Sequence, residues 1–142
     1  MILIDTSIWI QVFRDKQGVE AQRIKEWING RKIVLTRFIQ LELLQGCRDE
    51  KEWHTLSSYL EGQSYIEPKP STWQAAARLY FDLRRQGLTV RSPIDYCIAQ
   101  IAFENSLILL HDDNDFLVIA KIRPLIMQYW QSRAQRIDAS KT

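Results

Sequence analysis

The chain contains few of the residues that interrupt or cross-link a fold. Its 142 residues include 5 glycines, 4 prolines and 2 cysteines. This composition excludes collagen-like and low-complexity disordered proteins. Cys47 and Cys97 are far apart and lack the spacing of a metal-binding motif, so we predict neither a disulfide framework nor a zinc site. Each lies among apolar residues, and both are interpreted as buried free thiols.

Long apolar runs are also missing, since no segment approaches the roughly 20 apolar residues needed to span a bilayer. The first residues have no basic leader and reach an acid directly after Ile2-Leu3-Ile4, unlike a secretory signal. A cytoplasmic location without membrane contact is therefore expected.

A strong excess of one charge is absent as well, because the net charge is only +2 at pH 7. This value does not by itself indicate a nucleic-acid partner, and the distribution of charge matters more than the total. The basic residues are interpreted first as solvated helix faces. They include the pairs Arg31-Lys32 and Arg84-Arg85, and Arg133 and Arg136 in the tail.

The hydrophobic fraction of 46% and the charged fraction of 25% are those of an ordinary globular protein. The length predicts one domain, over residues 1–130, followed by a polar tail at 131–142 that is expected to be flexible. Short apolar runs predict buried strands at 2–4, 33–35 and 107–110, with further short strands at 64–67 and 125–127. Helical patterns and capping residues predict helices at 7–16, 19–28, 36–46, 49–60, 71–85, 92–104 and 116–122. This alternation predicts a three-layer α/β fold with a central parallel sheet of about four to five strands flanked by helices.

Carboxylates follow two of these strands. Asp5 comes directly after the first strand, and Asp112, Asp113 and Asp115 follow the strand at 107–110. Because the carboxyl ends of parallel strands meet at one edge of a sheet, where sites form in such folds, we expect these acids to lie close together.

Two further acids, Glu42 and Asp95, lie in helices that are otherwise rich in apolar residues. Taken singly, each acid has a structural interpretation as a helix cap, a turn residue or a solvated side chain. Taken together, converging carboxylates repel one another and raise one another's pKa, so a cation is needed to hold them. An all-oxygen set of ligands favours Mg²⁺ or Mn²⁺ over zinc.

Four segments occur in an order and spacing that match a known family over nearly the whole chain. They are Leu3-Ile4-Asp5-Thr6-Ser7, Gln40-Leu41-Glu42-Leu43-Leu44-Gln45-Gly46, Pro93-Ile94-Asp95-Tyr96-Cys97-Ile98-Ala99 and Leu109-Leu110-His111-Asp112-Asp113-Asn114-Asp115-Phe116. In these segments the chain resembles the PIN domain, and more closely the VapC-type toxins of prokaryotic toxin–antitoxin pairs.

The resemblance implies roles for individual residues. It implies that the catalytic, metal-binding acids are Asp5, Glu42, Asp95 and Asp113. It also implies supporting roles for Asp115 and for Thr6 and Ser7, which would orient the first acid or a water molecule of the metal. His111 departs from the family, which usually has Thr or Ser there, and the consequence of this change is left open. Asp112 also remains an alternative to Asp113 as ligand.

The activity that the resemblance implies is Mg²⁺- or Mn²⁺-dependent hydrolysis of RNA phosphodiesters, in tRNA or another structured RNA, through one or two ions that activate water. The expected partners are a second copy of the chain and an antitoxin that lays a helix in a hydrophobic groove and presents an Arg to the acids. Four tryptophans are candidates either for such surfaces or for the core: Trp9, Trp27, Trp53 and Trp73.

Three alternatives remain open at this point. The same acids would serve a DNA-cleaving nuclease. A non-catalytic PIN-like module for dimerisation or regulation is a second alternative, although its site would be expected to have lost a carboxylate. A phosphoacceptor receiver domain also clusters acids at strand ends, but it needs an acid pair after the first strand, where this chain has only Asp5.

Overall fold

The computed structural model describes residues 1–131. Of the predicted tail at 131–142, residues 132–142, with Arg133 and Arg136, lie outside the described residues. Four strands and seven helices follow one another in the described part: β1 Ile2–Ile4, α1 Thr6–Arg14, α2 Val19–Ile28, β2 Ile33–Val34, α3 Arg37–Gln45, α4 Glu50–Glu61, α5 Pro70–Arg85, α6 Pro93–Glu104, β3 Ile108–His111, α7 Asn114–Ile119 and β4 Met127–Tyr129.

The sheet has the order β2-β1-β3-β4, and all three strand pairs are parallel. β1 is a central strand, with Ile2 opposite both Ile33 and Ile108. The α/β architecture and the parallel sheet confirm the predicted fold. The predicted strand at 64–67 is wrong in extent, because only an isolated bridge between Leu35 and Tyr65 forms there.

The core lies between the sheet and the helices. All three residues of β1 are buried, and Phe116 of α7 and Leu79 of α5 have no exposed surface. Continuous burial along β1 fits its apolar sequence, since a strand covered on both faces does not alternate. Among the described residues, no helix is long and apolar enough to cross a membrane.

Local side-chain chemistry explains where helices begin and end. α7 begins at Asn114, before the predicted residue 116, because the Asp113 side chain accepts the Asp115 N–H and caps the helix. α2 ends as predicted, since Asn29 has φ 49° and Gly30 has φ 76°, a conformation that Asn and Gly tolerate best.

Two residue predictions need correction or refinement. Cys47 and Cys97 are free but only partly buried, so the prediction of buried thiols was wrong; Cys47 lies beyond the end of α3. The four tryptophans divide between the two interpretations. Trp9 is buried, Trp27 is half-buried, and Trp53 and Trp73 are exposed.

Candidate metal centre

Asp5 sits at the end of the central strand and starts the first helix. Its backbone N–H donates to the carbonyl of Leu110, which continues the pairing of β1 with β3. One oxygen of its carboxylate accepts the N–H of Ser7 at 3.1 Å and the Ser7 hydroxyl at 2.6 Å. The side chain is therefore both a helix cap and a fixed, inward-facing carboxylate, only 4% exposed.

The end of the neighbouring strand β3 supplies two more carboxylates. Asp113 follows β3 and caps α7 by accepting the backbone N–H of Asp115 at 2.9 Å. The carboxylate of Asp115 in turn accepts the backbone N–H of Arg91 at 3.3 Å. Both acids are thus held at the edge of the sheet where Asp5 lies.

Asp95 joins this pair from helix α6. The side chain of Ser92 caps the helix, Pro93 occupies its first position, and Asp95 lies in its first turn. One carboxylate oxygen from each of Asp95, Asp113 and Asp115 lies within 4.8 Å of the others. Opposite ligand oxygens of a Mg²⁺ ion are about 4.2 Å apart, since each lies about 2.1 Å from the metal, so these three oxygens could hold such an ion after drawing slightly closer together.

Glu42 approaches from α3. Its Oε1 accepts the hydroxyl of Thr6 at 2.9 Å, which ties this helix to the start of α1. The side chain is half-buried, as its position in an amphipathic helix predicts. Its negative charge raises the pKa of Asp5, which places the two carboxylates in one electrostatic field.

The raised pKa values of Asp5 and Asp95 show that their ionised forms are destabilised when no cation is bound. Burial raises the pKa of Asp5 to about 6, the hydrogen bonds from Ser7 oppose this rise, and the charges of Glu42 and Asp113 add to it. Burial also raises the pKa of Asp95 to about 8, with contributions from Asp113, from its hydrogen bond with Asp115 and from Asp5. A divalent cation would relieve both shifts, because it stabilises the ionised carboxylates.

Asp112 does not belong to this group. Its carboxylate accepts a short hydrogen bond from the side-chain amide of Gln11. Burial raises the pKa of Tyr129, and the charge of Asp112 adds to this rise. Its backbone N–H donates to the Ser7 hydroxyl at 3.1 Å. The structure therefore brings Asp113, and not Asp112, together with Asp95 and Asp115.

His111 is buried beneath the site at the end of β3 and packs between the rings of Phe116 and Tyr129. Its Nδ1 accepts the backbone N–H of Asp113 at 3.2 Å, which leaves the ring proton on Nε2. Burial lowers the pKa of His111 and favours this neutral form. Within the described residues, Nε2 has no hydrogen-bond partner. The imidazole thus orients Asp113 through its backbone.

Two residues that contact the acids were missed by the sequence reasoning. Gln11 lies four residues after Ser7 on α1, so helical spacing alone places both on one face and makes it a detectable candidate. Arg91 contributes only its backbone N–H to Asp115, and such a contact leaves no signal in the residue type.

Comparison with known proteins agrees with this geometry. Residues 2–122 match the PIN domain. The chain belongs to the PIN domain family. Among curated PIN domain relatives, VapC ribonuclease Mb1587 of Mycobacterium bovis is 34% identical over 128 residues, covering 88% of this chain and 96% of that protein. Ribonuclease VapC11 of Mycobacterium tuberculosis matches equally well.

Solved structures with the same PIN domain fold come from toxin–antitoxin complexes. The structure of VapBC-1 from nontypeable Haemophilus influenzae has a TM-score of 0.74 at 20% identity, covering 93% of this chain and all of that one. VapBC2 from Rickettsia felis, bound to a DNA fragment from the promoter, gives 0.73 at 19% identity, covering 92% of this chain and all of that one. PIN domain ribonucleases generally use a divalent metal ion, and the partly buried acidic cluster is suited to hold one.

Proposed function

We propose that this chain is a Mg²⁺-dependent endoribonuclease, the toxin of a toxin–antitoxin pair, with Asp5, Glu42, Asp95 and Asp113 as its metal-binding and catalytic acids. The observation that carries the proposal is that one carboxylate oxygen from each of Asp95, Asp113 and Asp115 lies within 4.8 Å of the others. Burial and the charge of Asp113 raise the pKa of Asp95, and the charge of Asp5 also contributes to this rise. The names of the curated relatives, which are ribonucleases, support RNA as the substrate.

The supporting residues hold the acids in position. Ser7 fixes Asp5 through two hydrogen bonds, and Thr6 fixes Glu42 through one. Asp115 is fixed by the backbone of Arg91. Oxygen-only ligands suit Mg²⁺ or Mn²⁺, which when bound lowers the pKa of water to supply a nucleophile and offsets charge on the phosphate.

A side-chain nucleophile is not part of the proposal. In the described part of the chain, the two histidines are not arranged as general bases. His54 is exposed on α4 near Glu50, and the Nδ1 of His111 is occupied by the backbone of Asp113.

The test is cleavage of a structured RNA, with tRNA first, by purified protein in Mg²⁺ and in EDTA. Asp113→Asn should abolish cleavage because it removes a proposed ligand. The matched control is the neighbouring Asp112→Asn, which removes the same charge from a side chain engaged with Gln11 and should retain most of the activity. Undiminished cleavage in EDTA would contradict the proposal. Cleavage of DNA but not RNA would replace it with the alternative nuclease, and absence of both cleavage and metal binding would favour a non-catalytic module.

An antitoxin is the proposed partner. Ile10 and Phe13 on α1, the helix that starts at Asp5, and Tyr59 on α4 are apolar side chains that remain exposed, although Trp9 packs against both aromatic rings. Such a surface suits the apolar face of a helix. Growth arrest on expression alone, relieved by coexpression of the adjacent small reading frame, is the expected result. Normal growth with soluble, full-length protein would count against the toxin assignment.

A homodimer is proposed as well. Trp73 of α5 is 52% exposed and packs edge-on against Phe38, with ring centroids 5.8 Å apart. Exposed tryptophans are frequent anchors of protein interfaces. Sedimentation velocity should show a dimer for the natural chain and a shift toward monomer for Trp73→Ala. A natural chain that sediments as a monomer at all concentrations would contradict the dimer.

A further inference from the structure

A second charged surface, opposite in sign to the metal centre, lies where the last turns of α5 approach the turn that follows α7. It surrounds a pocket of about 380 Å³ lined by Arg78, Arg85, Lys121 and Arg123, with Asp82 as the only acid among its lining residues. These four cations and one carboxylate give a local charge of +3. This exceeds the net +2 of the whole chain, so positive charge is concentrated here.

Asp82 organises this pocket. One of its oxygens binds Nε of Arg78 and the other binds Arg123, each at 3.1 Å. Arg123 comes from a segment 41 residues further along the chain, so the pairing joins two separate elements. Because a guanidinium has five N–H donors in a rigid fork, each arginine keeps donors for a further anion while its position is fixed.

An exposed aromatic ring stands beside the pocket. Phe81 is 47% exposed, and the guanidinium carbons of Arg78 and Arg85 lie 4.8 and 5.8 Å from its ring centre. The three residues lie on one face of α5, since they are spaced by three and four positions. The opposite face, with Leu79 and Leu83, is buried in the core. We call Arg78, Phe81, Arg85, Lys121 and Arg123 the α5 surface.

The α5 surface is close to the metal centre along the chain. Arg85 and Arg91 are six positions apart, so their Cα atoms are at most about 22 Å apart. Arg91 is exposed, and its backbone N–H contacts the carboxylate of Asp115. The segment that follows α5 thus brings one further basic residue, Arg91, to the acids.

We propose that the α5 surface binds a single-stranded segment of the RNA substrate, with its phosphates on the four cations and one base stacked on Phe81. This inference rests on the proposed ribonuclease function and deepens it by assigning a substrate-binding surface outside the metal centre. Cationic grooves with aromatic stacking platforms suit single-stranded nucleic acid. An acidic protein segment would use the cations but would have no need of an exposed aromatic ring beside them.

The test measures binding of a fluorescein-labelled oligouridylate of about 12 nucleotides. Fluorescence anisotropy is recorded at several salt concentrations in an Asp95→Asn background, where the proposed function predicts no cleavage. The variant Arg85→Gln with Lys121→Gln should bind about tenfold more weakly at low salt, and its salt slope should fall by about 0.7 for each lost phosphate contact. The matched control is Arg14→Gln with Lys51→Gln, which removes the same two charges from exposed residues of α1 and α4 and should change neither value.

Two variants of Phe81 test whether its ring contributes to RNA binding. Phe81→Ala should weaken binding at least about fivefold with the salt slope unchanged, whereas Phe81→Tyr keeps a stacking face and should bind like the natural chain. Because Phe81 is largely solvent-facing, both variants are expected to fold, which thermal unfolding verifies. Equal affinities and slopes for the charge variant and its control would overturn the inference. Retained RNA affinity with lost binding to polyglutamate would also overturn it and would assign an acidic polypeptide to the surface.

Failure of this inference is distinguishable from failure of the proposed function. The natural chain is incubated in Mg²⁺ with tRNA, the structured RNA that tests the proposed function. If it cleaves while the α5 variants bind normally, only the α5 surface is refuted. If it does not cleave but the α5 variants lose binding, the ribonuclease assignment fails and the RNA-binding surface stands.

Discussion

Replacing Asp5 by asparagine removes a buried negative charge and keeps an oxygen that can accept the hydrogen bonds of Ser7. The pKa of the Asp5 carboxyl is raised from 3.8 to about 6 in the folded protein, chiefly by burial. One pKa unit corresponds to about 1.4 kcal/mol, so ionised Asp5 destabilises the metal-free fold by about 3 kcal/mol. Asp5→Asn should therefore increase the free energy of unfolding by about that amount at pH 8 in EDTA.

The pH dependence of this gain has a definite sign. At about pH 4, the folded chain keeps the Asp5 proton and the unfolded chain has lost it only in part, so the variant and the natural protein should differ little. As pH rises from 3.8, the unfolded chain loses this proton first, and the natural protein loses stability until its folded carboxyl ionises near pH 6. The advantage of Asp5→Asn therefore grows across this window and is constant above it.

Urea unfolding of metal-free protein at about pH 4 and pH 8 measures the effect directly. The control is Glu61→Gln, an exposed acid of α4, which should change the free energy of unfolding by less than about 0.5 kcal/mol at either pH. The same Asp5→Asn protein should show no RNA cleavage in Mg²⁺. A variant that is less stable than the natural chain at pH 8, or a gain that does not depend on pH, would refute the electrostatic reasoning.

Three further predictions follow from the site and the core. Mg²⁺ at about 100 times its Kd should stabilise the fold by about 2.7 kcal/mol at pH 8. The stabilisation should be smaller at about pH 5, because protons compete with the metal for Asp5 and Asp95. Equal shifts of the thermal unfolding temperature at both pH values would contradict this. Thr6→Val should weaken Mg²⁺ binding about tenfold in calorimetric titration by freeing Glu42, while Thr6→Ser should not; equal affinities for the two variants would exclude a positioning role. Phe116→Ala should lower the free energy of unfolding in urea by about 3–5 kcal/mol, because the ring is fully buried. Phe103→Ala, on the exposed side of α6, should lower it by less than about 1 kcal/mol. Similar losses for the two variants would be inconsistent with the described core.

The elements that the sequence predicted well are those whose signal is local. The run Ile2-Leu3-Ile4 is apolar at every position, and it forms the buried central strand. Ser92-Pro93 fixes the start of α6 within two residues, and Asn29-Gly30 fixes the end of α2. The metal-binding assignment of the acids stays a prediction, but the expectation that carboxylates from separate segments meet at one sheet edge followed from strand direction alone.

The features that escaped prediction depend on pairings between distant residues. The orientation of Asp112 is decided by Gln11, which lies 101 positions away, and not by the neighbouring Asp113. The pairing of Arg123 with Asp82 could not be read from either segment, because each one alone looks like a solvated charge. Strand 64–67 was overestimated since its only partner, Leu35, lies beyond the end of β2 and allows one bridge.

Three of the carboxylates at the centre stand at helix starts, where Asp5 caps α1, Asp113 caps α7 and Asp95 lies in the first turn of α6. Asparagine caps a helix about as well as aspartate does. Exchanging one oxygen for an amide nitrogen at Asp5 or Asp113 can therefore silence chemistry without removing the local support of the backbone. An inactive form of this protein that still binds a partner would thus differ from the active form by a single Asp-to-Asn substitution. Spontaneous deamidation of such a copy would regenerate the acid, so stored preparations of the amide variants would slowly regain whatever activity the natural chain has.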